Sequence, residues 1–248
     1  MNDYQLSLPV RWSSLKNIGQ SPAHYKYWME NIYPETDAMR IGSFVHRLVL
    51  GGHREFVKYE RTRLGKDWDA FFAEHGTLST ILNEREWEHG RAIADAVQSN
   101  KLAMSILTAG AQEKTIFWEV CGRKCKGTPD TLGDAVLADL KVTNSANPKL
   151  LQWHAVRQLW HGQLAWYRDG SEKKPEKLYI VAVENKPPFP VTVMELAESA
   201  INAGQRLWQT YFDRLRQCEE SDSWPAYSDV PVTLELHDDQ MIYEEEDN

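Results

Sequence analysis

GTPDTLGDAVLADLK, residues Gly127 to Lys141, decides how the rest of the chain is read. Pro129-Asp130 comes before a turn signal at Gly133-Asp134, and the apolar run from Ala135 to Ala138 then delivers Asp139-Leu140-Lys141. Side chains alternate along a strand, so Asp139 and Lys141 share one face. A hairpin closed at Gly133-Asp134 brings Asp130 back beside them. Two carboxylates and an ammonium at the end of a strand make a site for a hard divalent cation and an activated water. Charged residues at alternating positions alone are usually a solvated strand face. Pro129-Asp130 set nine residues ahead of Asp139-x-Lys141, with an apolar strand between, says more.

The flanking sequence supplies the frame. Thr115 to Cys121 is rich in strand formers and Gly122-Arg123 reads as a turn. The pattern predicts strands over 115–121, 124–132 and 135–142, joined as an antiparallel meander that presents Glu119, Asp130, Asp139 and Lys141 to one end or face. Arg123, Lys124 and Lys126 form the most basic short stretch, a rim suited to a phosphodiester. Leu178 to Val183 reads as a buried strand that pairs with Val191 to Val193. Helices are predicted over 37–50, 66–75, 83–98, 149–168 and from Glu195 towards Cys218. His46 lies on the first of these, where a lone histidine is most often a surface residue. Gln163 and Tyr167 lie four apart on the fourth and share a face. They suit holding phosphate oxygens or orienting a substrate near a metal; packing and surface polarity are the plain alternative.

The fold class is therefore α/β (α+β), a central mixed β-sheet with an antiparallel meander flanked by helices. Residues 1–234 read as one domain, with a mostly helical part over 1–113 and a core over 114–220. Residues 235–248 read as an acidic, mobile tail.

His46 in Gly42-Ser-Phe-Val-His46, Pro129-Asp130, Asp139-x-Lys141 and Gln163-x-x-x-Tyr167 occur in this order. Together they resemble the PD-(D/E)xK nuclease superfamily in its RecB-type branch, and most nearly the nuclease domains of the exonuclease VIII (RecE) and phage recombination exonucleases. The likeness extends from Leu15-Lys-Asn-Ile through Ser21-Pro-Ala-His-Tyr to Trp224-Pro225 and so covers most of the chain. It implies a restriction-endonuclease-like core and a metal-dependent DNA exonuclease, working 5′ to 3′ on linear duplex ends to leave 3′ single strands for recombination. Asp130, Asp139, the Leu140 carbonyl and His46 would hold Mg²⁺, with Mn²⁺ as a substitute and Glu119 serving a second ion. Lys141 would orient the attacking water, and Arg123, Lys124 and Lys126 would contact DNA. A ring-like homo-oligomer (trimer or tetramer) and a single-strand annealing protein as partner also follow from the likeness. Gly127-Thr-Pro-Asp departs from the basic Arg/Lys-x-Arg-Pro-Asp form, a place that Lys124 and Lys126 are left to fill. A Cas4-like or restriction-type endonuclease and a catalytically idle binding module are the competing readings.

Bulk properties agree with a DNA-binding enzyme once the charge is located. The net charge is −8, but seven acidic residues and no Lys or Arg lie in the segment from Glu235 to Asn248; without them 29 acidic residues face 28 Lys and Arg. The body is close to neutral, so local charge decides what it binds. Cys121, Cys125 and Cys218 are odd in number and poorly spaced for disulfides, which points to a reduced, cytoplasmic setting. Three cysteines also argue against the four-cysteine iron–sulfur cluster of some RecB-type nucleases. No apolar run reaches bilayer-spanning length and no signal peptide is evident, so no membrane association is expected.

Overall fold

A computed structural model of the 248-residue chain describes residues 8–31, 33–52, 54–76 and 80–235. The acidic segment 236–248 lies outside the described residues.

In chain order, β1 (Val10–Arg11), α1 (Trp12–Leu15), a 3₁₀ turn (Lys16–Gly19), α2 (Pro22–Glu30) and α3 (Asp37–Leu50) come first. They are followed by β2 (Val57–Tyr59), α4 (Lys66–His75), β3 (Ile81–Asn83), α5 (Glu84–Ser99) and α6 (Lys101–Leu107). Strands β4 (Ala111–Gln112), β5 (Ile116–Val120), β6 (Arg123–Gly127), β7 (Thr131–Leu132) and β8 (Val136–Thr143) come next. The described part closes with α7 (Pro148–Arg157), α8 (Trp160–Gly170), β9 (Lys177–Glu184), β10 (Val191–Glu195) and α9 (Glu198–Ser221).

The central sheet has the order β10-β9-β8-β7-β4 and is mixed: β8 and β9 run parallel, and every other pair is antiparallel. Both faces of β8 and β9 are covered, so these strands read as near-continuous apolar runs. Leu137, Leu178, Ile180 and Ala182 pack with α8 and α9 through Leu164, Trp166, Trp208 and Phe212. Ala138, Leu140, Val181 and Val183 pack with α3, α5 and α6 through Val45, Ile93, Val97 and Leu107. Period-two alternation therefore assigns Asp139 to the α8 side and Leu140 to the α3 side.

The meander does not form as one sheet. Residues 124–132, read as a single strand, divide into β6 and β7, and β6 joins β5 and β1 in a separate three-stranded sheet. The break falls at Thr128 and Pro129, where proline offers no N–H to a ladder. The helix predicted over 149–168 is also two helices. Leu159 between them takes a left-handed conformation (φ 58°, ψ 33°), which turns the chain sharply before α8 begins. The pairing of β9 with β10 is antiparallel as expected, with Val183 opposite Val191.

An ion cluster fixes α3, the carrier of His46, against α5. Glu86 closes a capping box with Asn83 and takes Arg40 Nη2 at 2.7 Å and Arg63 Nη2 at 3.0 Å. Burial pushes the Glu86 carboxyl up, but the Asn83 amide and the two guanidinium groups outweigh it and hold it below its usual value of 4.5. A depressed carboxylate contributes stability above its unfolded pKa and loses it as pH falls through the folded one. Urea denaturation should accordingly show wild-type stability declining as pH falls below 4.5. Glu86→Gln is expected to cost roughly 2–3 kcal/mol at neutral pH, by leaving Arg40 short of a partner, and to flatten that decline. An unaltered acid limb in the variant would show that the cluster does not carry it.

Candidate active site

The site forms where β7 stops. Thr131 and Leu132 pair with Ala138 and Leu137, but the chain leaves at Pro129, so among the described residues no strand lies beside the edge of β8 beyond Ala138 on that side. The Asp130 side chain takes the place of the missing ladder: its Oδ2 accepts the Leu140 N–H at 2.6 Å. The N–H and C=O of one strand residue project to the same side, so the Leu140 carbonyl faces this open edge too. Pro129-Asp130 thus interrupts the strand and caps the buried Leu140 amide of its neighbour in one step.

Around that edge the structure brings together most of the residues singled out in the sequence. His46 Nδ1 lies 3.4 Å from Asp130 Oδ1. Asp139 is 2% exposed, and its Oδ2 meets the Lys141 ammonium in an ion pair. Lys141 Nζ donates to Gln163 Oε1 at 3.0 Å, and Gln163 Nε2 donates to Tyr167 Oη at 3.2 Å. Gly127 lets the end of β6 lie on the Tyr167 ring, since a Cβ there would meet the ring at 2.6 Å. Gln163 therefore holds the lysine and rests on Tyr167, while the sequence reading assigns the pair to phosphate oxygens or to orienting a substrate near the metal.

Electrostatics sets the two carboxylates apart. Burial raises Asp130, but His46, Lys141 and the Leu140 amide outweigh it and hold it below its ordinary value. Burial dominates at Asp139 and, with the Asp130 charge, lifts it to about 6 against the pull of Lys141. Burial lowers His46, yet Asp130 and Asp139 bring it above its ordinary value. Tyr167 is raised by burial and then by the Asp139 charge. A cation beside Asp139 would relieve the strain of two carboxylates in one buried place.

The donor set fits a hard divalent ion. Asp130, Asp139 and the Leu140 carbonyl offer oxygens, and both carboxylates are buried. Among the described residues no three His, Cys, Asp or Glu side chains form a ready cluster. Small hard divalent ions keep several waters and take only one or two carboxylates, so such a donor set suits one.

Two predicted residues belong elsewhere. Glu119 is exposed on β5, opposite Lys124 and on the other sheet, because the meander that would have gathered it is broken at Pro129. Arg123 pairs with Glu219 at 3.1 Å and ties β6 to α9, so its charge is already matched. Lys124 is exposed, while Lys126 lines a cleft with Lys141.

Two further residues emerge only in three dimensions. The Trp160 ring lies under the Lys141 ammonium (5.7 Å to the centroid) and stacks on His154 (5.3 Å, 13°). Its placement follows from the turn at Leu159, for which the sequence carries no Gly or Pro signal. Glu113 donates its backbone N–H to the Asp130 carbonyl at 3.0 Å and lines a cavity of about 570 Å³ with His46 and Leu140. Its carboxylate lies against Gly52, where a Cβ would displace it. A positive φ of 47° at a non-glycine residue is the structural mark of Glu113, and nothing in the sequence announces it.

The family model described as a PDDEXK-like domain of unknown function (DUF3799) matches residues 12–231. A crystal structure of a Eubacterium rectale protein, provisionally named an exonuclease, superposes with a TM-score of 0.63 at 12% identity, over 92% of this chain and 91% of that one. An alkaline exonuclease from Laribacter hongkongensis aligns with a TM-score of 0.29 at 12% identity, over 72% of this chain and 93% of that one. No curated protein sequence matches the chain.

Proposed function

The chain belongs to the PDDEXK-like domain family DUF3799, and from that premise we propose that it is a divalent-metal-dependent nuclease that hydrolyses DNA phosphodiester bonds. The observation that carries the reading is the meeting of Asp130, Asp139 and Lys141 at the unpaired edge of β8. Asp130, Asp139 and the Leu140 carbonyl would hold Mg²⁺, with Mn²⁺ as substitute and His46 beside them. When bound, the ion supplies charge neutralisation for a phosphate oxygen and a lowered pKa for water. Lys141 orients the attacking water and steadies the phosphate, held in place by Asp139, Gln163 and Trp160. Tyr167 acts through Gln163. Glu113 takes over the role of extra carboxylate that the motif reading assigned to Glu119.

Within this reading the substrate is linear duplex DNA degraded 5′ to 3′, leaving 3′ single strands for recombination. Residues 1–234 act as one nuclease domain, in a ring-like oligomer serving a single-strand annealing partner. The test uses duplex labelled at the 5′ or the 3′ end and a closed circle, with Mg²⁺ or EDTA. Mg²⁺-dependent loss of linear DNA, with the 5′ label released first and the circle intact, is the expected result. Cutting of the circle would replace the exonuclease with an endonuclease, and no cleavage with any divalent ion would leave a binding module.

A further inference from the structure

Lys141 borders a cleft of about 330 Å³ on the α8 side of the sheet, within the range that takes a small ligand. Arg11, Lys16, Lys126 and Lys141 line it together with Ser13 and Gln158, and no carboxylate does. Strand pairing imposes this crowding: β1 runs parallel to β6 with Arg11 in register with Lys126. Neighbouring strands lie about 4.8 Å apart, and like charges set side by side on one face are destabilising. Lys126 rests over the Phe117 ring at 5.4 Å, which does nothing to cancel its charge. Lys16 follows α1 directly, and burial together with the Lys141 charge lowers its pKa.

Elsewhere five arginines are each matched by a carboxylate. Arg40 and Arg63 meet Glu86, Arg54 meets Glu35, Arg61 meets Asp67 and Arg123 meets Glu219. Among the described residues Arg11, Lys16 and Lys126 have no such acidic partner. Unmatched cations gathered on one concave wall, in a protein of net charge −8, mark a site built for an anion.

We propose that Arg11, Lys16 and Lys126 form a second phosphate-binding site, which grips the backbone of the nucleic-acid strand next to the phosphate at Lys141. The site rests on the nuclease reading for its ligand, but its cations and their register stand apart from the catalytic carboxylates. Phosphate contacts fix register and orientation without reading sequence, so this site holds the strand while the β8 edge does the chemistry.

The decisive measurement is binding, in EDTA so that no cleavage occurs, of a fluorescein-labelled single-stranded or duplex DNA at several salt concentrations. The Arg11→Gln/Lys126→Gln protein is expected to bind about 10–100-fold more weakly at roughly 0.1 M salt, and its slope of log K against log salt to fall by about 1–2. Arg11→Lys/Lys126→Arg keeps the slope, as does Lys173→Gln, which removes an exposed lysine already paired with Asp134. Lys16→Gln provides a second variant should the double one fold poorly. An unchanged slope in folded variants overturns the proposal. Inorganic phosphate separates the two readings: a melting-temperature rise in wild type that the double variant lacks supports the anion site even if no nuclease activity is found. Failure of wild type to bind either DNA or phosphate overturns the site itself.

Discussion

Asp139→Asn is expected to lower metal-dependent cleavage by about 10³-fold or more without lowering the melting temperature of the metal-free protein. The two effects share one cause. Asp139 is 2% exposed and sits beside a second buried carboxylate, with the Lys141 ammonium as its ion-pair partner. Its pKa of about 6, against an ordinary 3.8, means that folding is penalised wherever the group must be ionised. One pKa unit corresponds to about 1.4 kcal/mol, so relief of the penalty is worth on the order of 3 kcal/mol above pH 6, less what the lost Lys141 contact contributed. The sign is opposite to that of Glu86: the penalty is absent below 3.8 and complete above 6, so any gain from the substitution grows with pH across that window. Melting in EDTA at pH 5 and pH 8, then with Mg²⁺ at pH 8, checks this. Wild type should gain from the ion, and the Asp139→Asn protein should gain far less. Wild-type cleavage in the variant would remove Asp139 from the chemistry, and a large loss of metal-free stability would make it a structural group.

Asp130 gives the contrast. It accepts the Leu140 N–H and meets His46, and its pKa is depressed. Removing that side chain uncaps β8 as well as taking away a ligand. The same motif thus contains one carboxylate that supports the fold and one that strains it, as is common where a site must hold an ion.

What the sequence disclosed, and what it hid, follows the range of the interactions. Asp139 and Lys141 were legible because period-two alternation is local and unconditional along a strand. His46 and the Gln163–Tyr167 pair were legible as a spaced pattern, and helix periodicity placed them. Proline at 129 offers no N–H to a ladder, yet the strand formers on either side favour one continuous element. The turn at Leu159 carries no Gly, Pro or Asn; tertiary packing of Trp160 against His154 and Lys141 sets it. Arg123 looked like a free cation because Glu219, its partner, lies 96 residues away. Glu113 and Gly52 meet only after the sheet has formed, so neither bears a local mark.

Lys141→Met should reduce the catalytic rate by about 10²–10⁴-fold while DNA binding in EDTA weakens far less. Methionine retains most of the lysine's apolar length but carries no charge, so the variant removes the ammonium and little packing. The ammonium is held at three points: the Asp139 carboxylate, Gln163 Oε1 at 3.0 Å and the Trp160 ring at 5.7 Å. This arrangement predicts a graded series. Gln163→Leu, which releases one hold, should cost about 10–100-fold, and Tyr167→Phe, which acts on Lys141 only through Gln163, should cost less. Lys141→Arg should not restore the rate, since a planar guanidinium cannot occupy a pocket shaped for a compact ammonium between an amide and an indole. The order of the three losses is the test. If Tyr167→Phe proves as damaging as Lys141→Met, the phenol must touch the substrate itself, and the chain Lys141–Gln163–Tyr167 is a binding surface rather than a brace. If Lys141→Met retains the wild-type rate, the lysine serves only to offset Asp139, and the attacking water must be oriented by another group, for which His46 is the nearest basic side chain to Asp130.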